Sequence, residues 1–141
     1  MTAGDCIFCA IVAGEAPASF VYQADDHVAF MDIAPANRGH VLIIPTAHAT
    51  YLADMPTETG NRLFATGMKI TAAVRASGLR CEGVNLFLAD GEAAGQEVFH
   101  VHLHVIPRFR GDQVTIKAVQ EVSARSDLND DAEGIRRQMP A

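Results

Sequence analysis

Apolar and polar positions along this chain fall into short strand-like runs around one long helical stripe. Phe8 to Val12 predicts a helical turn that stops near Gly14. Phe20-Val21-Tyr22-Gln23 predicts a strand, Asp25-Asp26 a turn, and His27 to Ile33 the return strand of a hairpin. Ala34 to Gly39, with its Pro, Asn and Gly, is a loop. His40 to Ile44 is almost continuously apolar, which predicts a central strand ended by Pro45. Pro56-Thr57-Glu58 opens the long helix, whose core stripe is Leu63, Phe64, Met68, Ile70, Thr71 and Val74, with Gly78 as its stop. Val84 to Leu88 is the next strand, Asp90 to Gln96 a polar loop, and Val98 to Arg108 the last strand, ending at Pro107. The tail after Val119 is charged, with a short amphipathic helix over Leu128 to Met139. Strands in hairpin order with one main helix predict an α+β antiparallel sheet with helices on one face.

The last strand carries the chemistry. In His100-Val101-His102-Leu103-His104-Val105-Ile106 the strand period of two sends three imidazoles to one face. Phe99, Val101, Leu103 and Val105 point to the other face and can bury themselves. Successive imidazoles then stand about 6.5–7 Å apart. Imidazole is a nucleophile, base and metal ligand near neutral pH. Three readings are open: a solvated strand face, one three-His metal centre, or a divided row in which one His serves a metal and the others serve chemistry. Three in-line residues on one strand converge poorly on one ion.

Composition narrows the class. With 141 residues, about half of them apolar, the chain fits one domain with a proper core. No apolar run approaches the roughly 20 residues that span a bilayer, and Met1 to Asp5 lacks a basic leader pattern. The expectation is a soluble, cytoplasmic protein with no membrane partner. A net charge of −6 argues against nucleic-acid binding. Three cysteines, an odd count, argue against a disulfide framework. Cys6-Ile7-Phe8-Cys9 has spacing that suits a zinc half-site, a reduced structural pair or a redox pair. For zinc, His48 and His100 are the best candidates to complete the shell. Cys81 is expected to be a small buried thiol.

Several blocks in order resemble the histidine triad (HIT) family, in its bacterial Hint-like, protein kinase C-interacting-protein-like branch. They are the C-x-x-C motif, Phe30-Met31-Asp32-Ile33-Ala34-Pro35, Gly39 to Pro45 with His48, and Gly95-Gln96-Glu97-Val98-Phe99 running into the three histidines and Pro107-Arg108. Roughly residues 6–110 fit; the tail from about residue 113 adds nothing. The resemblance implies one HIT domain over residues 1–141, with a five-stranded antiparallel sheet that becomes a continuous ten-stranded sheet in a homodimer. It implies a hydrolase or transferase acting at the α-phosphate of purine nucleoside phosphoramidates or dinucleoside polyphosphates through a nucleotidyl-histidine intermediate. The alternative is a nucleotide-binding regulatory module with little turnover. By resemblance His102 is the nucleophile and His104 stabilises phosphate charge. Asp32 takes the ribose hydroxyls; Phe8, Ile11, Phe30 and Ile33 form the purine slot. Asn85 orients the phosphate, and Gly95, Gln96, Glu97 and Val98 form the phosphate loop. Cys6, Cys9, His48 and His100 hold a structural zinc, and no organic cofactor is expected. Glu97 departs from the pattern, because many relatives carry Ser or Thr there. Its charge changes what the site prefers.

Overall fold

The computed structural model describes residues 3–118 and 121–141; Met1 and Thr2 of the leader reading and residues 119–120 of the tail lie outside them. Strands β1 (Phe20–Gln23), β2 (His27–Met31), β3 (Val41–Pro45), β4 (Gly83–Phe87) and β5 (Leu103–Arg108) form one sheet in the order β1-β2-β3-β5-β4. All four pairings are antiparallel. Helices α1 (Ile7–Val12), α2 (Thr57–Ala76) and α3 (Arg125–Gln138) complete the described elements, with three short 3-10 turns. The α+β class and the strand count read from the sequence hold.

The strand period sorts the core into two layers. Ala29, Val41, Ile43, Val101, Leu103 and Val105 meet Leu63, Ile70 and Val74 of α2. Val28, Phe30, Leu42 and Ile44 meet Cys6, Phe8 and Ile11 on and just before α1. The two helices therefore cover opposite faces, whereas the pattern alone placed helices on one face. Both faces of β2 and β3 are buried for this reason. Ile43 and Val105 are 0 % exposed, and each contributes about 1.5–3 kcal/mol by leaving water. α2 approaches closely at Gly67, where an added Cβ would lie 3.4 Å from Leu103 and 3.5 Å from Leu86.

Element ends shift by one to five residues from the sequence reading, and two differences bear on the site. The core stripe of α2 is Leu63, Thr66, Gly67, Ile70 and Val74; Phe64 and Met68 are 53 % and 61 % exposed. Apolar residues occupy two adjacent stripes of this helix, and only one can face its own sheet. The last strand starts at Leu103 rather than Val98. Upstream of it the backbone has other partners: Val101 N–H donates to the Ala49 carbonyl, and the His100 ring donates to the Pro45 carbonyl. Alternation nonetheless persists through the segment, with Val101 in the α2 layer and His100 and His102 on the α1 side.

Candidate active site and metal centre

A cleft of about 730 Å³ opens between α1, the chain leading from it into β1, the end of β2 and the histidine segment. Phe8, Ile11, Phe30, Asp32, Ile33, Glu97, Val98, His102 and His104 all line it. These are nine of the residues named from sequence. Ile7, Ser19, Met31 and Leu42 line it as well, and sequence reasoning missed them. The Phe8 ring stands edge-on to Phe30 at 5.6 Å and to His102 at 5.2 Å, between centroids. One end is thus an aromatic slot and the other a pair of imidazoles 4.9 Å apart.

Hydrogen bonds assign the proton on each ring. A carbonyl only accepts, so His102 donates from Nδ1 to the His100 carbonyl at 2.8 Å. A neutral His102 then carries its lone pair on Nε2. His40, buried at the start of the central strand, accepts the Ala36 N–H at Nδ1 (3.0 Å). Its Nε2–H is therefore the donor toward His104 Nδ1 at 2.8 Å. His104 in turn keeps its proton on Nε2. The neighbouring rings thus present opposite functions, a lone pair on His102 and an N–H on His104. Burial depresses the proton affinity of His40, His100 and His102, and of His104 to about 4, with the neighbouring imidazoles adding to the effect at His104. All four are neutral at pH 7.

His40 was read only as the start of a strand. Its relay role had one signal in sequence: a polar ring opening an apolar central strand, where burial demands a partner. Asp32 stands beside it. One carboxylate oxygen caps a turn by accepting the Ala34 N–H at 2.8 Å, and the other lies 3.5 Å from His40 Nε2. Asp32 is both the turn residue and a cleft acceptor.

The loop residues divide. Gly95 takes φ +92°, a conformation glycine favours. The Gly95 and Gln96 N–H groups donate to the Glu92 and Gly91 carbonyls within the loop. The buried Gln96 side chain is a strut: its oxygen accepts from Gly91 N–H, and its nitrogen donates to the Thr50 and Val98 carbonyls. Glu97 and Val98 line the cleft. Asn85 also stands apart. It pairs with Ile106, two positions beyond the Phe87–His104 pair, and its amide oxygen accepts from Arg108 at 2.7 Å. Arg108 is held by Asp112, which Asn37 also bonds. This network fastens the β2–β3 loop to the end of β5.

On the other side of His100 lies a second constellation. The ligating atoms of Cys6, Cys9, His48 and His100 all fall within 4.8 Å of one another. The His100 ring donates from Nε2 to the Pro45 carbonyl, so its Nδ1 lone pair faces the two sulfurs at 3.4 and 3.6 Å. His48 Nδ1 is 3.3 Å from Cys9 Sγ, and its Nε2 is 3.2 Å from the Thr50 hydroxyl. Tetrahedral zinc bound by sulfur and imidazole has N···S edges of about 3.5 Å. The donor set and spacing fit such an ion. Cys6 caps α1, its sulfur accepting the Cys9 N–H at 3.5 Å. Burial, with Cys6 beside it, pushes the Cys9 thiol up to about 11; a bound dication reverses that preference. Four protein ligands would leave a bound ion no open position, the arrangement of a structural rather than a catalytic site. The divided histidine row, one ring facing the sulfurs and two facing the cleft, is the arrangement present. Cys81 is only half-buried and bonds the Gly83 carbonyl.

Known proteins place this geometry. Adenylylsulfatase HINT3 of Arabidopsis thaliana is 38 % identical over 109 residues, covering 77 % of this chain and 54 % of that protein. A crystal structure of a Zn-bound histidine triad family protein from Mycobacterium smegmatis matches with 43 % identity and a TM-score of 0.77, covering 85 % of this chain and 86 % of that one. A HIT family protein from Bacillus anthracis matches with 34 % identity and a TM-score of 0.88, covering 99 % of this chain and 100 % of that one. The HIT domain model matches residues 13–111, from the end of α1 through the histidine segment and β5. By its fold and by this match, the chain belongs to the HIT domain family.

Proposed function

We propose that this protein is a nucleotide-binding hydrolase. It cleaves at the α-phosphate of purine nucleoside phosphoramidates or dinucleoside polyphosphates through a nucleotidyl-His102 intermediate. The supporting observation is the ring orientation at His102: Nδ1–H tied to the backbone and an Nε2 lone pair at the cleft. The purine lies against Phe8 and Phe30, whose rings touch edge to face, with Ile11 and Ile33 beside it, and the ribose hydroxyls donate to Asp32. His102 Nε2 attacks phosphorus and the bond to the leaving group breaks; a departing amine takes up a proton from solvent, which the water of the second step returns, and a departing polyphosphate leaves as its anion. His104 Nε2–H donates to a phosphate oxygen as charge develops there. Water then attacks phosphorus, the P–Nε2 bond breaks, and a nucleoside monophosphate departs with His102 restored. The net reaction consumes one water and yields a nucleoside monophosphate with the amine, or with the remaining nucleotide of a dinucleoside polyphosphate. AMP release from an adenosine phosphoramidate tests this. Stoichiometric binding without AMP release would instead leave a binding module.

Charge ranks the two substrate classes. The ionisable groups lining the cleft are Asp32, Glu97, His102 and His104; no Lys or Arg is among the described lining residues. Each added phosphate brings negative charge toward two carboxylates at about 1 kcal/mol per close pair in water. A phosphoramidate is therefore expected to have a kcat/KM about tenfold or more above that of a dinucleoside tetraphosphate. Glu97→Gln should narrow that gap. Equal values for both substrates would remove Glu97 as a determinant.

The pH dependence follows from His104, which stays neutral down to about 4. Burial also lowers His102, the nucleophile, from the ordinary histidine value, so turnover is expected to hold as pH falls through the range near 6.5. Stability has the same sign. The unfolded chain takes up the proton first, so the contribution is full above about 6.5 and is lost as pH falls toward 4. A turnover midpoint near 6.5 would contradict the burial argument.

We also read the Cys6, Cys9, His48 and His100 centre as a zinc site and the protein as a homodimer. The exposed Phe64 and Met68 on α2 and the free edge of β4, with Leu86 and Phe87, are the surfaces that support assembly. Phe64→Arg should halve the mass measured by light scattering; an unchanged mass would move the interface elsewhere.

A further inference from the structure

Asp32, His40 and His104 form a cluster at the cleft: one carboxylate oxygen and one nitrogen from each ring all lie within 4.8 Å of one another. Two imidazoles and a carboxylate can hold a metal elsewhere, but the protons here oppose it. His40 Nδ1 accepts the Ala36 N–H at 3.0 Å. The neutral ring therefore turns an N–H, and no lone pair, toward its two neighbours. That N–H donates to His104 Nδ1 at 2.8 Å, and Asp32 Oδ2 lies 3.5 Å from the same nitrogen. A chain results: carboxylate, His40 N–H, His104 lone pair, and then the His104 Nε2–H at the cleft.

The carboxylate is held where it stands. Its other oxygen accepts the Ala34 N–H at 2.8 Å, in the turn that follows β2. Its side chain is 18 % exposed and that of His40 only 6 %, so little water screens the charge between them. Burial lowers the proton affinity of His40 and His104, and Asp32 is the group that opposes it at both. Sugar recognition accounts for an acceptor at this position, and an amide oxygen would accept from the same hydroxyls and from Ala34 N–H. It does not account for a full negative charge, which repels an anionic substrate. The compensating use of that charge lies at His40.

We propose that Asp32 is a positioning residue for His104, acting through His40, and so couples the sugar end of the cleft to the step at phosphorus. As negative charge grows on a phosphate oxygen, that oxygen pulls on the His104 Nε2–H. His104 Nδ1 then pulls harder on the His40 N–H. Positive charge spreads back over the two rings toward Asp32, and no proton leaves either ring. The carboxylate stabilises a charge distribution that exists only in the transition state, so its charge raises kcat rather than affinity. This rests on the hydrolase reading above.

Asp32→Asn tests it, because the amide keeps the shape and the acceptor and removes only the charge. Rates are counted per nucleotide-binding site, titrated with AMP, so that any misfolded fraction does not enter. On an adenosine phosphoramidate kcat should fall about tenfold or more, with KM unchanged or lower. A carboxylate that serves the sugar alone gives the reverse, a raised KM and an unchanged kcat, and overturns the proposal. A 2′,3′-dideoxyadenosine phosphoramidate separates the two again, since it offers Asp32 no hydroxyl. The variant should lose the same factor in kcat on this substrate as on the riboside; equal rates for variant and wild type there overturn the proposal. The route is tested in a His40→Ala background, where Asp32→Asn should cost less than about threefold in kcat. A full loss in that background bypasses His40 and overturns the relay. A wild-type protein that binds AMP but turns over neither substrate overturns the hydrolase reading itself, and the relay with it.

Discussion

Replacing His102 by alanine should cut turnover of an adenosine phosphoramidate by a factor on the order of 10⁴ or more, as loss of a nucleophile does elsewhere. Nucleotide affinity should change little. The His102 ring reaches the cleft beside Phe8, while the apolar slot and Asp32 come from α1 and β2. Removing the imidazole deletes the bond-forming nitrogen and leaves the nucleoside contacts. His102→Gly with added imidazole gives a second arm, since free imidazole can enter the vacated space and restore part of the rate. Quenching the wild-type enzyme with labelled substrate should trap label on His102 and nowhere else. His104→Ala should behave differently, losing about 10²–10³ in kcat while the covalent species still forms slowly. Its donor N–H is set by His40, so His40→Ala should fall between the two. Label that persists in His102→Ala would place the nucleophile elsewhere.

Removing the metal should have the largest effect on stability. The four candidate ligands come from positions 6, 9, 48 and 100, so one ion would join the start of α1, the segment after β3 and the entry to β5. An ion present at about 1,000 times its Kd stabilises the fold by about 4 kcal/mol, equivalent to a Tm change of about 10 °C or more for a chain of this size. Chelation, or Cys9→Ser, is expected to lower Tm by that amount. Turnover of the fraction still folded should fall less, because the centre has no open position for substrate. His100 couples the two sites: its carbonyl receives the His102 proton while its Nδ1 faces the sulfurs. The coupling predicts a modest loss of kcat, not its abolition. One metal per chain by elemental analysis, and a Tm unmoved by chelation, are the supporting and opposing results.

Much of this site was legible before any coordinates. Alternation in residues 99–105 gave the sidedness of the three histidines, because adjacent strand residues cannot share a face. The C-x-x-C spacing pointed to two sulfurs reaching one ion from a single turn. Phe8, Phe30 and Asp32 were legible only in company, through several blocks occurring in order. The loop was half legible. Glycine at position 95 signalled an unusual backbone, yet the use of the Gly95 and Gln96 amides within the loop depended on the 3-10 turn that precedes them. Asn85 was placed by resemblance at the phosphate; in the fold its oxygen bonds Arg108.

The order of apolar and polar residues was enough to determine the strands, the long helix and which histidines share a side. Periodicity and backbone sterics act within a few residues and need no knowledge of the rest of the chain. Tertiary structure alone decided that α1 and α2 cover opposite faces, that Phe64 and Met68 remain outside, and that His40 passes a proton-bearing nitrogen to His104. Those outcomes depend on strand register and on which buried polar atom finds which partner, as where His40 meets His104, 64 positions away. The lone pair of His102 belongs to both levels: its face comes from the strand period, and its nitrogen from a carbonyl that only the folded backbone holds in place.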